Sequence, residues 1–216
     1  MEDGLLIVGL GNPGSQYQYT RHNVGAELVA RLAETYRITL NADRSYKGRI
    51  GRGGIEGVDV RLLLPETYMN LSGQSVGAVA HFYKLPVDSI LVAYDELAFE
   101  PGQIKLKTGG GHNGHNGVAS VIDGLGNDRS FHRLRIGVGH PGHKDLVLGW
   151  VLRDFAPEER DPKDGWLPRV LEALAEESAL LAEGTGKTDE RYMSRVAHLA
   201  SPPTPNSQPP DQGPKA

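Results

Sequence analysis

The chain has 216 residues, 27 acidic against 23 Lys and Arg for a net charge of −4, and no cysteine. That length suits one domain burying about 70% of its unfolded surface without staples, and the missing thiols exclude disulfide scaffolds, thiolate zinc sites and cysteine nucleophiles. Met1-Glu2-Asp3 and the brief apolar run behind it offer neither a signal h-region nor a membrane span, so a soluble, cytoplasmic protein is expected.

The first element is a strand over Leu5 to Leu10, which runs into Gly9-Leu10-Gly11-Asn12-Pro13-Gly14. This satisfies the dinucleotide pattern G-x-G-x-x-G, but a dinucleotide turn opens its helix on the glycines and has an acid about 20 positions on. Pro13 has no N–H to offer a phosphate, and helical periodicity starts only at Val24, with Val24, Leu28, Leu32 and Tyr36 on one face. No nicotinamide cofactor is therefore expected. Between strand and helix lies Tyr17-Gln18-Tyr19-Thr20-Arg21-His22-Asn23, which delivers an imidazole and two amides to the carboxyl edge where open α/β sheets bind ligands.

Strands follow at Lys47 to Gly51 and Val58 to Leu64, with Gly51 to Gly57 read as the hairpin turn between them, so the sheet should be mixed. Asn70 stands before a helix over Leu71 to Tyr83, and both capping and ligand contact are open to it. The dense apolar run from Ile90 to Tyr94 predicts a buried central strand with Asp95 at its tip, where a turn-forming role is the alternative. A strand over Gln103 to Thr108 leads to Gly109-Gly110-Gly111-His112-Asn113-Gly114-His115-Asn116-Gly117, a loop able to approach a ligand closely, and a helix from Asn116 to Leu125. His112 and His115, with His140 and His143, raise a metal site, yet no carboxylate or Cys sits among them and no metal is expected.

Phe131 to Val138 alternates as a strand: Leu134, Ile136 and Val138 face the core, and Arg133, Arg135, Gly137 and Gly139 the other side, leaving two cations beside uncovered backbone. Guanidinium groups there suit phosphate oxygens, although a plain solvated face would look the same. Gly102 to Lys144 holds six bases against two acids, a net of +4, whereas Asp154 to Glu190 holds eleven acids against four bases, a net of −7. A basic face on an acidic protein is the expectation. The last helix, Leu167 to Ala182, carries Leu167, Val170, Leu171, Leu174 and Leu181 in a core-facing stripe and stops near Gly184. Residues 201–216, rich in proline, are expected to form a disordered tail, and 1–200 the single domain.

The chemistry these parts allow is narrow. With no G-x-S-x-G elbow, P-loop or thiol, the pair His22 and Asp95 remains: a carboxylate on one imidazole nitrogen fixes the tautomer and lets the other take a proton from water. A side-chain amide such as Asn12 could donate to the developing oxyanion, and Asn70 and Asn116 could read a peptide backbone. Hydrolysis of an activated acyl bond follows.

From about Leu5 to Ala197 the chain closely resembles bacterial-type peptidyl-tRNA hydrolases. The resemblance rests on the first glycine motif with Tyr17 and Thr20-Arg21-His22-Asn23, Met69-Asn70-Leu71-Ser72-Gly73, Asp95-Glu96-Leu97, Gly109-Gly110-Gly111 with Gly114-His115-Asn116-Gly117, and His132-Arg133-Leu134-Arg135-Ile136-Gly137. It implies a monomeric α/β enzyme, a mixed twisted β-sheet between helices, that cleaves the ester between a peptide and the 3′ ribose of tRNA without cofactor or metal. In that likeness His22 is the general base and Asp95 orients it. Asn12, Asn70 and Asn116 position the peptidyl part and the water, Tyr17, Met69 and His115 line the substrate side, and Lys105, Lys107 and Arg135 meet tRNA phosphates. Ala98-Phe99-Glu100 departs from the family's wording after Asp-Glu-Leu.

Overall fold

The structure, a computed structural model, describes residues 4–178 and 191–197. Seven strands form one mixed sheet: β1 (Leu5–Gly9), β2 (Asn41–Asp43), β3 (Gly48–Ile55), β4 (Val58–Pro65), β5 (Ile90–Glu96), β6 (Ile104–Thr108) and β7 (His132–Gly137), in the order β2-β3-β4-β1-β5-β7-β6. The four central strands β4, β1, β5 and β7 run parallel, and the neighbours outside them are antiparallel. Every residue of β5 is buried, as its unbroken apolar run demands.

Helices cover both faces. Alternation along β1 sends Ile7 one way and Leu6 and Val8 the other. On the first side α1 (Val24–Thr35) and α6 (Trp166–Glu176) bury Leu28, Leu32, Leu167 and Leu171; on the second α2 (Ser72–Tyr83) and α3 (Asn116–Gly124) bury Val76, Val79, Val118 and Val121. Each such side chain contributes about 1.5–3 kcal/mol by leaving water. Two short helices, α4 (Val147–Val151) and α5 (Pro157–Arg160), lie between β7 and α6. Close approach of α1 to the sheet sets the position of everything that precedes it: a Cβ on Gly25 would stand 2.1 Å from the Ala93 carbonyl oxygen. The helix therefore lies directly on β5, and residues 21–23 are brought to that strand's carboxyl end.

Several expectations need correction. β3 continues to Ile55, so the hairpin turn is only Glu56-Gly57, both at positive φ (47° and 88°), as two-residue hairpins favour. Gly51 and Gly53 are strand residues whose missing side chains admit Ile38 and Thr39. On β7 the backbone is not uncovered, because the Phe99 side chain and the Glu100 carbonyl pack onto Gly137. The C-terminal helix is seen to Glu176, while Leu181, Ala182, Gly184 and the tail 201–216 lie outside the described residues.

Candidate active site

The glycine motif leaves β1 and turns without starting a helix; α1 begins at Val24, after two 3-10 turns (Ser15–Tyr17 and Arg21–Asn23). Asn23, buried to 6% exposure, holds this loop with its amide. Its Oδ1 accepts the Asn12 N–H at 2.8 Å and its Nδ2 donates to the Asn12 carbonyl at 2.9 Å. Asn12 in turn accepts the Met69 N–H on Oδ1 at 2.8 Å. With that oxygen so engaged, the Asn12 amide group keeps its N–H donors without a partner among the described residues.

His22 and Asp95 meet. The imidazole Nδ1 lies 2.8 Å from Asp95 Oδ1, and the same oxygen receives His115 Nε2 at 2.9 Å. His115 caps α3: its Nδ1 accepts the N–H groups of Gly117 (3.1 Å) and Val118 (3.2 Å). An imidazole nitrogen that accepts must be bare, so the remaining proton sits on Nε2 and His115 donates to Asp95. Asp95 is acceptor-only as a carboxylate, hence His22 donates from Nδ1 and presents Nε2 as a lone pair. The helix cap thereby fixes one end of the network, and the carboxylate fixes the tautomer of His22.

Electrostatics agree with this assignment. Burial pushes the Asp95 carboxyl upward, but His22 and His115 together outweigh it and hold the group well below the usual carboxylate range. For His22, burial disfavours the cation, and the Asp95 charge and hydrogen bond overcome that, leaving the imidazole above its ordinary value. The donor atoms of His22, Asp95 and His115 lie within 4.8 Å of one another, close enough for a metal. The capping bond makes His115 Nε2 an N–H rather than a lone pair, so as protonated here the three do not form a ligand set. His112, His140 and His143 each accept, on Nδ1, the N–H two residues on.

The other expected residues divide. Met69 is buried against Gly117, where a Cβ would come within 2.3 Å of its sulfur. Tyr17 is half-buried in the turn before His22. Asn70 and Asn116 are exposed and their side chains make no hydrogen bond among the described residues; α2 starts at Ser72 with Leu71 at its N-cap and no side-chain cap, so Asn70 does not serve as one. His115 has both ring nitrogens engaged within the protein, Nδ1 by the start of α3 and Nε2 by Asp95.

Lys105 and Lys107 are exposed on β6, directly opposite Arg135 and Arg133. The two arginines are not free. Arg133, 2% exposed, donates to the carbonyls of Gly110 (2.6 Å) and Gly111 (2.5 Å) and so anchors the glycine loop. Arg135 is bound by Glu96 Oε2 through Nε (2.8 Å) and Nη2 (2.7 Å) and lies over the Phe99 ring at 4.5 Å. Asn23 and Glu96 hold Asn12 and Arg135 through hydrogen bonds that no spacing in the sequence marks. Nor does spacing mark Arg21, buried over Trp150 and bonded to the Asp154 carbonyl (2.6 Å) and Glu159 (2.7 Å).

Fold and site define a class, an α/β enzyme with a carboxylate-bound histidine at the strand ends. The family model of peptidyl-tRNA hydrolase matches residues 6–200. A peptidyl-tRNA hydrolase of Pseudomonas paraeruginosa is 56% identical over 79% of this chain and 88% of its own length, and one of Haemophilus influenzae 52% identical over 90% and 98%. Among solved structures, the Acinetobacter baumannii peptidyl-tRNA hydrolase superposes with a TM-score of 0.79 at 48% identity, covering 91% of this chain and 95% of that one. The chain belongs to the peptidyl-tRNA hydrolase family.

Proposed function

We propose that this protein hydrolyses the ester between a peptide and the 3′ ribose of tRNA by general-base attack of water, His22 taking the proton on Nε2. The observation that carries the reading is the Asp95 oxygen that receives both imidazoles, since it leaves one basic nitrogen at the carboxyl edge of the sheet. Water attacks the acyl carbon, and the Asn12 amide, whose N–H donors are unspent, steadies the oxyanion. When the tetrahedral intermediate collapses, the imidazolium returns its proton to the departing ribose oxygen. Asn70 and Asn116, exposed and unengaged, read the acylated α-nitrogen that distinguishes a peptidyl from a free aminoacyl ester. No covalent intermediate or cofactor enters this scheme, and the enzyme works as a monomer in the cytoplasm. Lys105 and Lys107 meet tRNA phosphates on β6, with Arg135 beside them. Among the described residues no helix is long and apolar enough to cross a membrane.

The test is release of free tRNA from N-acetylated aminoacyl-tRNA by the purified protein, without added metal. His22→Ala should lower kcat by about 10² to 10⁴ and largely retain tRNA affinity. Near-normal turnover in that variant would refute the reading, and equal cleavage of acylated and free-amine substrates would remove the role of the asparagines.

A further inference from the structure

We propose that Glu96 limits the hold of this protein on tRNA by cancelling the charge of Arg135, and thereby favours release of the deacylated product. The inference rests on the reading that the β6–β7 edge meets tRNA phosphates.

Glu96 follows Asp95 on β5, so its side chain projects to the opposite face of the sheet, the face that carries Arg135 and Lys105. Both of its oxygens are committed. Oε2 takes two N–H groups of Arg135, and Oε1 accepts the Ala98 N–H at 2.9 Å. The two side chains are only 9% and 13% exposed, and the Phe99 ring closes the guanidinium from beneath. Only Arg135 Nη1 is without a hydrogen bond among the described residues. It can touch a phosphate, but the pair brings no net charge to it. Lys105 and Lys107, by contrast, have no acidic partner among the described residues and supply the local positive potential.

Why a cation at a polyanion site should be neutralised follows from the reaction. Cleavage leaves every phosphate of the tRNA in place, so phosphate contacts hold substrate and product alike and do nothing for the chemical step. Each further free cation would tighten the spent tRNA as much as the substrate and slow its departure. A buried carboxylate on one arginine keeps the directional contact and removes the excess attraction.

The experiment measures, with the full-length protein, the salt dependence of KM and the inhibition by deacylated tRNA for Glu96→Gln and for Glu96→Gln combined with Arg135→Gln. Glu96→Gln uncovers one charge: the log–log salt slope should steepen by about 1, with KM and the inhibition constant of deacylated tRNA both falling several-fold. The double variant is again neutral at the pair and should return the slope to that of the wild type. An unchanged slope and inhibition constant in a Glu96→Gln protein that melts normally would overturn the proposal. So would a flattened slope in the double variant, which also carries the test if the single variant fails to fold. Failure of the reading that this edge meets tRNA looks different, because Lys107→Gln would then leave the salt slope of the wild type unchanged.

Discussion

The two working regions of this molecule handle charge in opposite ways. At the ends of β1 and β5 one buried carboxylate is shared by two imidazoles, and every proton position follows from a specific acceptor. On β6 and β7 two lysines stand in solvent with no acidic partner among the described residues, and the arginines opposite them are already bound. The first arrangement suits a reaction, in which a proton must leave from and return to one atom; the second suits attraction to a polyanion, where position counts for less than net charge. Interactions at the first should change rate, and those at the second should change affinity and its response to salt.

That division can be broken by experiment. Asp95→Asn should cost about 10² to 10⁴ in kcat, because the base loses both its tautomer control and its charge partner. The same variant carries a pH signature. The raised His22 value means that the neutral, active base is lost as pH falls through a point above the ordinary imidazole value of about 6.5. Without the Asp95 charge, burial dominates and the acid limb of the pH profile should move down. A limb that stays in place would detach Asp95 from the base. Asn12→Ala should lower kcat by about 10² if its amide meets the oxyanion, with KM little altered.

Smaller effects sharpen the comparison. His115→Ala removes the α3 cap and one of the two donors to Asp95, and about a tenfold loss of kcat is expected. Its acid limb should move up, since the carboxylate charge then acts on His22 alone. A rise in KM with kcat and pH profile unchanged would instead return His115 to substrate binding. Smallest on the chemical step is Lys107→Gln, which should leave kcat near normal while the salt slope flattens by about 1. A fall in kcat equal to the rise in KM would erase the division between the two regions.

The sequence made the frame of this protein readable because its strands and helices have unmistakable periods. The apolar run before Asp95 and the stripe from Val24 to Leu32 both landed where their patterns required. β2 escaped notice, for Asn41–Asp43 is three residues long and mostly exposed, without any alternation to detect. Period also explains where the reading of β7 went astray. Alternation assigned Arg133 and Arg135 correctly to one face but says nothing about what lies on that face, and Phe99, Glu100 and Glu96 occupy it. His115 shows the same limit, since no spacing reveals that one nitrogen caps a helix while the other serves a carboxylate 20 residues earlier.

Arg21, the neighbour of the proposed base, reaches 138 residues along the chain to Glu159 and donates to the backbone carbonyls of residues 153 and 154. During synthesis, the segment bearing His22 is made early and its anchor late. A chain still lacking α5 keeps the bonds of the 21–23 turn to Asn12 and Asp95 but has no Glu159 to pair with Arg21. Full catalytic competence should therefore wait for α5, so a fragment that stalls before about residue 160 should fold much of its sheet and show reduced activity.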